Sequence, residues 1–255
     1  MSFYKFLSQY YDSLFPAGQE TLAFLADHLT PGAKVLDLAC GTGTHALALA
    51  EKGLSVAGMD LDEKMIELAR RKDKRSMCQF TAADMLEAAR VFEPGYDLIY
   101  CIGNSLVHLD SVGLVVNLIS TVFSLLREGG VFATQIINFD RITGSRTGSR
   151  MGSRMGPQSG PHKLPSIILE KEGIEFHRRY TFGQGDAKVQ FETDLHLVEQ
   201  GNNYHNSIPL LAMESDTLTG IVESAGFAVY ELFGNFKREP HSGESFMTLV
   251  RAYKK

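Results

Sequence analysis

Cysteine is scarce in this 255-residue chain. Cys40, Cys78 and Cys101 are scattered, each inside or beside an apolar strand-like segment. That spacing excludes a disulfide framework and a cysteine metal site and predicts a reduced, cytoplasmic setting. Excess positive charge is also absent. Lys and Arg number 25 against 30 Asp and Glu, a net charge of −5 with a pI near 5.9. No global basic field favours nucleic acid or an anionic membrane. No apolar run approaches membrane-spanning length, and Met1–Lys5 does not open a signal peptide. Arginine is missing before Arg70, and no tyrosine has a lysine four residues later. Hydrophobic residues, at 44%, suffice for a substantial core.

Against these absences stands one dense signal, Lys34-Val-Leu-Asp-Leu-Ala-Cys-Gly-Thr-Gly-Thr44. A short apolar run ends in Asp37 and breaks into Gly41-Thr-Gly43, and a helical pattern follows at once. A buried strand, a tight turn and a helix N-terminus make a nucleotide-binding corner, where glycines admit a ligand close to the backbone. Gly41-x-Gly43-x-x-Ala46 loosely fits a dinucleotide fingerprint. Asp37, four residues before the first glycine, would repel a pyrophosphate and suits a cationic ligand without phosphates.

Strand-like and helix-like segments then alternate. Ser55–Asp60 is a second strand, Asp62 caps a helix over Glu63–Arg71, Cys78–Phe80 is a third strand and Tyr96–Cys101 a fourth. Val112–Leu126 is a long helix closed by Arg127-Glu-Gly-Gly130, and Val131–Ile137 is a fifth strand. Repeated βα units predict a parallel sheet covered on both faces. Gly144–Gly160, with triplets ending at Arg146, Arg150 and Arg154, reads as a flexible loop. Ile174–Phe182 and Lys188–Val198 alternate around Gly183–Asp186 and read as a hairpin. A helix over Met213–Ala225 and strands over Phe227–Phe233 and Phe246–Tyr253 complete the chain. The expectation is an α/β fold with a doubly wound, mostly parallel seven-stranded sheet and an antiparallel β insertion before the last helix. Residues 1–30 would form a helical lid, 31–142 and 213–255 the core, and 143–212 the loop and substrate-side insertion.

In such sheets ligands bind beyond the strands' C-terminal ends. Asp60 there suits two ribose hydroxyls, and Asp84 with Met85 suits an adenine ring and its amino group. Met65, one turn into a helix, reads equally as adenine packing or core. Gly103, Asn104 and Ser105 place neutral polar groups at the fourth strand's end. His177, His196 and His205 fit no common metal-ligand spacing, so no metal is expected. Arg178 and Arg179 alternate on a strand, so one faces inward and one outward.

The glycine-loop stretch resembles motif I of class I S-adenosylmethionine (AdoMet)-dependent methyltransferases. Cys101-Ile-Gly-Asn-Ser-Leu-Val-His-Leu109 and Ile137-Asn-Phe-Asp-Arg-Ile142 are similar to the glycine/sarcosine N-methyltransferase subgroup. Leu232–Lys237 with Ser245–Val250 is similar to that family's final hairpin. The match is good over residues 33–142, loose over the last 30 or so, and poor over 144–212.

The resemblance implies AdoMet as cofactor and a small amine as acceptor. Tyr11 (or Tyr10) would come from a lid. Asp37, Ala39, Gly41, Gly43 and Thr44 would form the methionine-side corner, with Ala39 backbone on the amino group. Asp60 would hold the ribose, with Leu61 and Met65 as further cofactor contacts, Asp84 and Met85 the adenine, and Cys101 and Ile102 the methionine moiety. Asn104 and His108 would position the acceptor. Asn138, Arg141, Arg178 and Arg179 are acceptor-side candidates, an inward arginine gripping a carboxylate bidentately. The family's N-terminal arginine is missing here, and Lys5 would replace it only as a point charge. No Asp/Asn-Pro-Pro-Tyr/Phe tetrapeptide follows the fourth strand, which weighs against DNA-base or protein-glutamine acceptors. A short-chain oxidoreductase would need the missing Tyr-x-x-x-Lys. An RNA or O-methyltransferase and a non-catalytic AdoMet-binding protein remain the alternatives.

Overall fold

The computed structural model describes residues 10–143, 162–163, 167–169, 173–181 and 188–255. Lys5, the Gly144–Gly160 segment and the Gly183–Asp186 turn lie outside them.

After helical residues 10–14, the chain runs α1 (Gln19–Ala26), β1 (Lys34–Leu38), α2 (Thr44–Ala50), β2 (Ser55–Asp60), α3 (Glu63–Lys72) and β3 (Cys78–Ala82). Next come α4 (Ala88–Val91), β4 (Tyr96–Cys101), α5 (Val112–Leu125), β5 (Leu126–Ile137) and α6 (Phe139–Thr143). The short β6 (His162–Lys163) and β7 (Ile167–Leu169) precede β8 (Ile174–Thr181), β9 (Lys188–Leu197) and β10 (Asn202–Leu211). Finally α7 (Ser215–Ser224) leads to β11 (Val229–Phe233) and β12 (Met247–Tyr253).

The main sheet has seven strands in the order β11-β12-β5-β4-β1-β2-β3, parallel except for β12, which runs antiparallel to both neighbours. Its central strands carry apolar runs because helices cover both faces: Val35, Leu36 and Leu38 of β1 are fully buried. One core lies under α5 and α7, with Ile119, Val122, Phe132 and Val222; the other lies under α1, α2 and α3, with Phe24, Val35, Leu49 and Ile66. Strand order reverses between β1 and β4, which opens the crevice at the ends of those strands.

Three elements differ from the sequence reading. First, α1 is not a lid. Phe24 packs edge-on against Phe233 and Phe236, and Asp27 pairs with Arg251 and Arg238, so α1 belongs to the core layer. Second, β5 begins at Leu126, not Val131. Gly130 looks like a turn residue, but a Cβ there would stand 2.8 Å from the Arg127 carbonyl and 2.9 Å from that of Tyr96, so its glycine serves close strand packing. Third, β10 joins the excursion as a further strand, pairing with β9 along its whole length.

The second sheet is antiparallel, in the order β10-β9-β8-β6, with β7 also on β8. Its inward face meets two apolar groups. Tyr180, Val189 and Leu210 join the core with Leu106 and Val107, whereas Ile174, Phe176, Leu195 and Leu197 pack on Leu14, Tyr10, Tyr11 and Phe15. This sheet therefore holds residues 10–15 against the rest of the molecule.

The return from the second sheet is fixed by Asp140. Buried at 3% exposure, it accepts from the Ser215 amide (2.9 Å) and the Ser215 hydroxyl (2.6 Å) at the start of α7. Asp140→Ala should lower stability by about 1–3 kcal/mol, since both donors would be left buried without that acceptor. Urea unfolding should show a lower midpoint with an unchanged slope; an unchanged midpoint would remove this role.

Candidate functional site

The glycine loop closes β1 in a run of left-handed backbone. Ala39, Gly41 and Gly43 have φ of 60°, 55° and 72°. Glycine tolerates this conformation, whereas at Ala39 it stores strain of the kind found at ligand-binding turns. Gly43 is also sterically fixed, because a Cβ would lie 2.6 Å from the Phe80 ring and 3.0 Å from Ala69. That glycine seats α2 on the sheet, leaving Gly41 and its neighbours to face the crevice.

Asp60, at the end of β2, anchors this loop. One carboxylate oxygen accepts from Gly41 N–H (2.8 Å) and the other from Asp62 N–H (2.9 Å). A carboxylate has about four lone-pair sites, so two remain for a ribose diol. Asp37 sits in the adjacent strand, 3% exposed, accepting a 2.7 Å bond from the Tyr100 hydroxyl of β4. Burial pushes its pKa up to about 8, with a further contribution from Asp60, and burial raises Asp60 too. Among the described residues neither acid has a cationic side chain as a hydrogen-bond partner. Two partly desolvated carboxylates without a cationic partner beside the glycine loop favour a cationic ligand.

Residues 10–15 lie over the loop. The Tyr11 ring is 3.4 Å from where a Gly41 Cβ would stand, and burial with the fields of Asp60 and Asp37 pushes its hydroxyl up to about 12. Asp12 fastens the segment. It accepts from the hydroxyls of Thr42 and Thr44 (2.7 Å for Thr44) and takes Lys72 Nζ at 2.6 Å. Lys72 also donates to Thr42 and Thr44, at 3.0 and 2.9 Å. Thr44 thus helps fasten residues 10–15 to the loop. Asp12, Thr42 and Lys72 escaped the sequence reading because 30 to 60 residues separate the partners.

Leu61, directly after Asp60, is 75% exposed. Met65 is buried. Asp84 accepts from Leu86 N–H and so caps the turn that carries Met85, which packs against the larger core. Cys101 is fully buried, leaving only backbone to offer, while Ile102 is partly buried.

Asn104, left-handed at φ 68°, spends its amide oxygen on Ile137 N–H (2.9 Å), latching the fourth strand's loop to β5. His108 ends the turn Ser105–His108; one edge reaches solvent, yet desolvation holds its imidazole below the ordinary range. The Asn138 amide nitrogen donates to the Ser242 and Ser245 carbonyls, and its oxygen is buried without a partner among the described residues.

The three arginine candidates separate. Arg141 is exposed, its guanidinium 4.5 Å from the Phe246 ring centre. Arg179 lies on the second sheet's outer face, engaged by Glu192 and, at 2.6 Å, by Asp194. Two carboxylates hold it there, so it is not placed as an inward clamp. Arg178 lies on the inward face with Phe176 and Tyr180, partly buried. Among the described residues no group of three or more His, Cys, Asp or Glu could hold a metal ion, and no helix is long and apolar enough to cross a membrane.

Residues 35–130 match the family model described as a methyltransferase domain. The glycine/sarcosine N-methyltransferase of Aphanothece halophytica is 32% identical over 130 residues, which cover 49% of this chain and 47% of that protein. The chain thus spans about half the length of the curated relatives it matches. A solved S-adenosylmethionine-dependent methyltransferase from Clostridium acetobutylicum ATCC 824 superposes with a TM-score of 0.77 at 15% identity, over 99% of both chains. An amino pentose methyltransferase from Micromonospora echinaspora, solved with S-adenosylmethionine bound, gives a TM-score of 0.68 at 18% identity over 100% and 98%. Residues 35–130 thus resemble a methyltransferase domain, and the fold is that of solved S-adenosylmethionine-dependent methyltransferases.

The acidic corner makes its pH response distinctive. Asp37 is raised on folding, so its ionisation opposes folding: the penalty grows as pH rises above about 4 and levels off above about 8. Asp37→Asn should flatten that part of the stability–pH curve. A cationic ligand favours the ionised form, so its affinity should strengthen as pH rises towards 8 in the parent and not in the Asn variant. Parallel curves by calorimetry for the two proteins would exclude this role for Asp37.

Proposed function

We propose that this chain transfers a methyl group from S-adenosylmethionine to the nitrogen of a small amine that also carries a carboxylate, in the manner of the glycine/sarcosine N-methyltransferases it resembles. The observation that carries the cofactor side is the pair of acids beside the glycine loop, buried Asp37 and half-buried Asp60, with no cationic side chain among their hydrogen-bond partners in the described residues. Gly41 and Ala39 would line the methionine end, Asp60 the ribose, Leu61 and Met85 the base, and Tyr11 would close over the loop.

Bound S-adenosylmethionine supplies an electrophilic methyl on a sulfonium. The carbon–sulfur bond breaks as the carbon–nitrogen bond forms, and the amine's proton passes to water. Such a displacement depends mainly on a neutral nucleophile held close and in line, so the chain's task is positioning and exclusion of water. Asn104 shapes the loop at the end of β4, His108 borders it, and Arg178 looks inward from the second sheet. Carboxylate recognition by Arg178 favours an amino acid over an amino pentose such as that methylated by the structural neighbour. A guanidinium forks onto a carboxylate, whereas a sugar offers it only neutral hydroxyls.

Asp60→Ala should weaken S-adenosylhomocysteine binding and abolish most of the melting-temperature rise that the ligand gives the parent protein. Unchanged affinity in that variant would overturn the cofactor assignment.

A methyl-transfer screen over amino acids, polyamines, phenols and short RNAs, read as S-adenosylhomocysteine formed, should find activity on an amino acid. Arg178→Gln should then raise its KM roughly 30-fold or more, since losing one partner of a buried charged pair costs about 2–5 kcal/mol. Activity confined to RNA or phenols would reject the amine reading.

A further inference from the structure

The inward face of the second sheet carries one polar row. Register places Arg178 of β8 opposite Thr193 of β9, and Thr193 opposite Asn206 of β10. Directly opposed residues share a face, so these three side chains form a line across the sheet. The rows on either side are apolar. Tyr180, Phe191 and Ile208 belong to the core under the strand ends, and Phe176, Leu195 and Tyr204 belong to the cluster on residues 10–15. Four residues along a strand separate those rows, roughly 13 Å. The polar line therefore lies between the part of the sheet resting on the lid and the part resting on Leu106 and Val107.

Thr193 is the anomaly in this line. It is 2% exposed, and its hydroxyl oxygen is buried without a hydrogen-bond partner among the described residues. A buried, unsatisfied hydroxyl costs free energy that valine, of nearly the same shape and with high strand propensity, would not incur. A stability cost retained at one position of an otherwise apolar face is characteristic of a binding position.

We propose that Thr193 is a specificity-determining residue of the acceptor site. Its hydroxyl donates to the acceptor's carboxylate beside the Arg178 guanidinium, at the end of the acceptor away from the nitrogen that takes the methyl. The proposal rests on the small-amine methyltransferase reading and adds a residue that selects among amines. With Asn206 completing the row, the site favours acceptors bearing a carboxylate over the matching amides or amino alcohols.

The test compares the parent with Thr193→Val and Thr193→Ser. The readouts are acceptor KM and kcat for the best amino acid of the screen and for its carboxamide, and melting temperature without acceptor. Thr193→Val should raise the KM for the amino acid about tenfold or more, leave the KM for S-adenosylmethionine unchanged and narrow the preference over the carboxamide. Without acceptor it should melt at the parent's temperature or about 2–4 °C higher, as expected when an unsatisfied hydroxyl is removed from a protein of this size. Thr193→Ser, which keeps the hydroxyl, should retain the amino-acid preference.

A Thr193→Val enzyme with the parent's KM and selectivity would overturn the proposal while leaving the methyltransferase reading intact. So would a lower melting temperature with equal losses for amino acid and carboxamide, which would make Thr193 structural. A parent protein that binds neither S-adenosylmethionine nor S-adenosylhomocysteine would instead overturn the underlying function, and this inference with it.

Discussion

The carboxylate of Asp60 joins the ends of two neighbouring strands. One oxygen holds the Gly41 amide in the loop after β1, and the other holds the Asp62 amide at the start of the helix after β2. The left-handed path through Ala39, Gly41 and Gly43 has this bond as its side-chain anchor across the sheet. Other contacts build on it. Tyr11 rests on Gly41, and Asp12 reaches the hydroxyls of Thr42 and Thr44 in the same loop. A displaced loop would remove the floor beneath the N-terminal segment and the partners that fasten it. Local geometry at one acid thus governs both the glycine loop and the segment that lies over it.

The two sheets divide the chemistry. The main sheet presents acids at a corner fixed by close packing, as Gly43 against Phe80 shows. Such a site suits a ligand that is the same in every reaction of the class. The second sheet presents a face that is apolar at both ends and polar in one row, so a few substitutions there would alter what it accepts without disturbing the first corner. Arg178 and Arg179 show how sharply one strand separates these roles: adjacent residues face opposite sides, one towards the crevice and one paired with Glu192 and Asp194.

The parallel half of the fold was legible because each βα unit announces itself through an apolar run, a turn and a helical stripe, and Asp60 and Asp37 stand where those runs end. The excursion was less legible. In β10, Asn202, Asn203, His205, Asn206 and Ser207 crowd the first half with polar residues, so its alternation is faint until Leu210. The start of β5 was hidden because Gly129 and Gly130 read as a turn, while the close approach of two carbonyls that requires Gly130 exists only in the folded sheet. The Asp12 fastening and the Thr193 row are long-range pairings that no local pattern encodes. Tyr100 is an intermediate case: once β1 and β4 are neighbours, its place opposite Asp37 follows from register.

The segment at residues 10–15 has a floor and a ceiling. Its floor is the glycine loop, through Tyr11 and Asp12, and its ceiling is the second sheet, through Leu14, Phe15 and Phe176. A short piece of chain held between two binding surfaces cannot shift on one without being felt by the other. Any free energy that a ligand under the floor spends in moving this segment must reappear, equal in size, in the affinity of a ligand under the ceiling. Two ligands, one at each surface, would then be thermodynamically reciprocal through a handful of residues that need touch neither reacting atom.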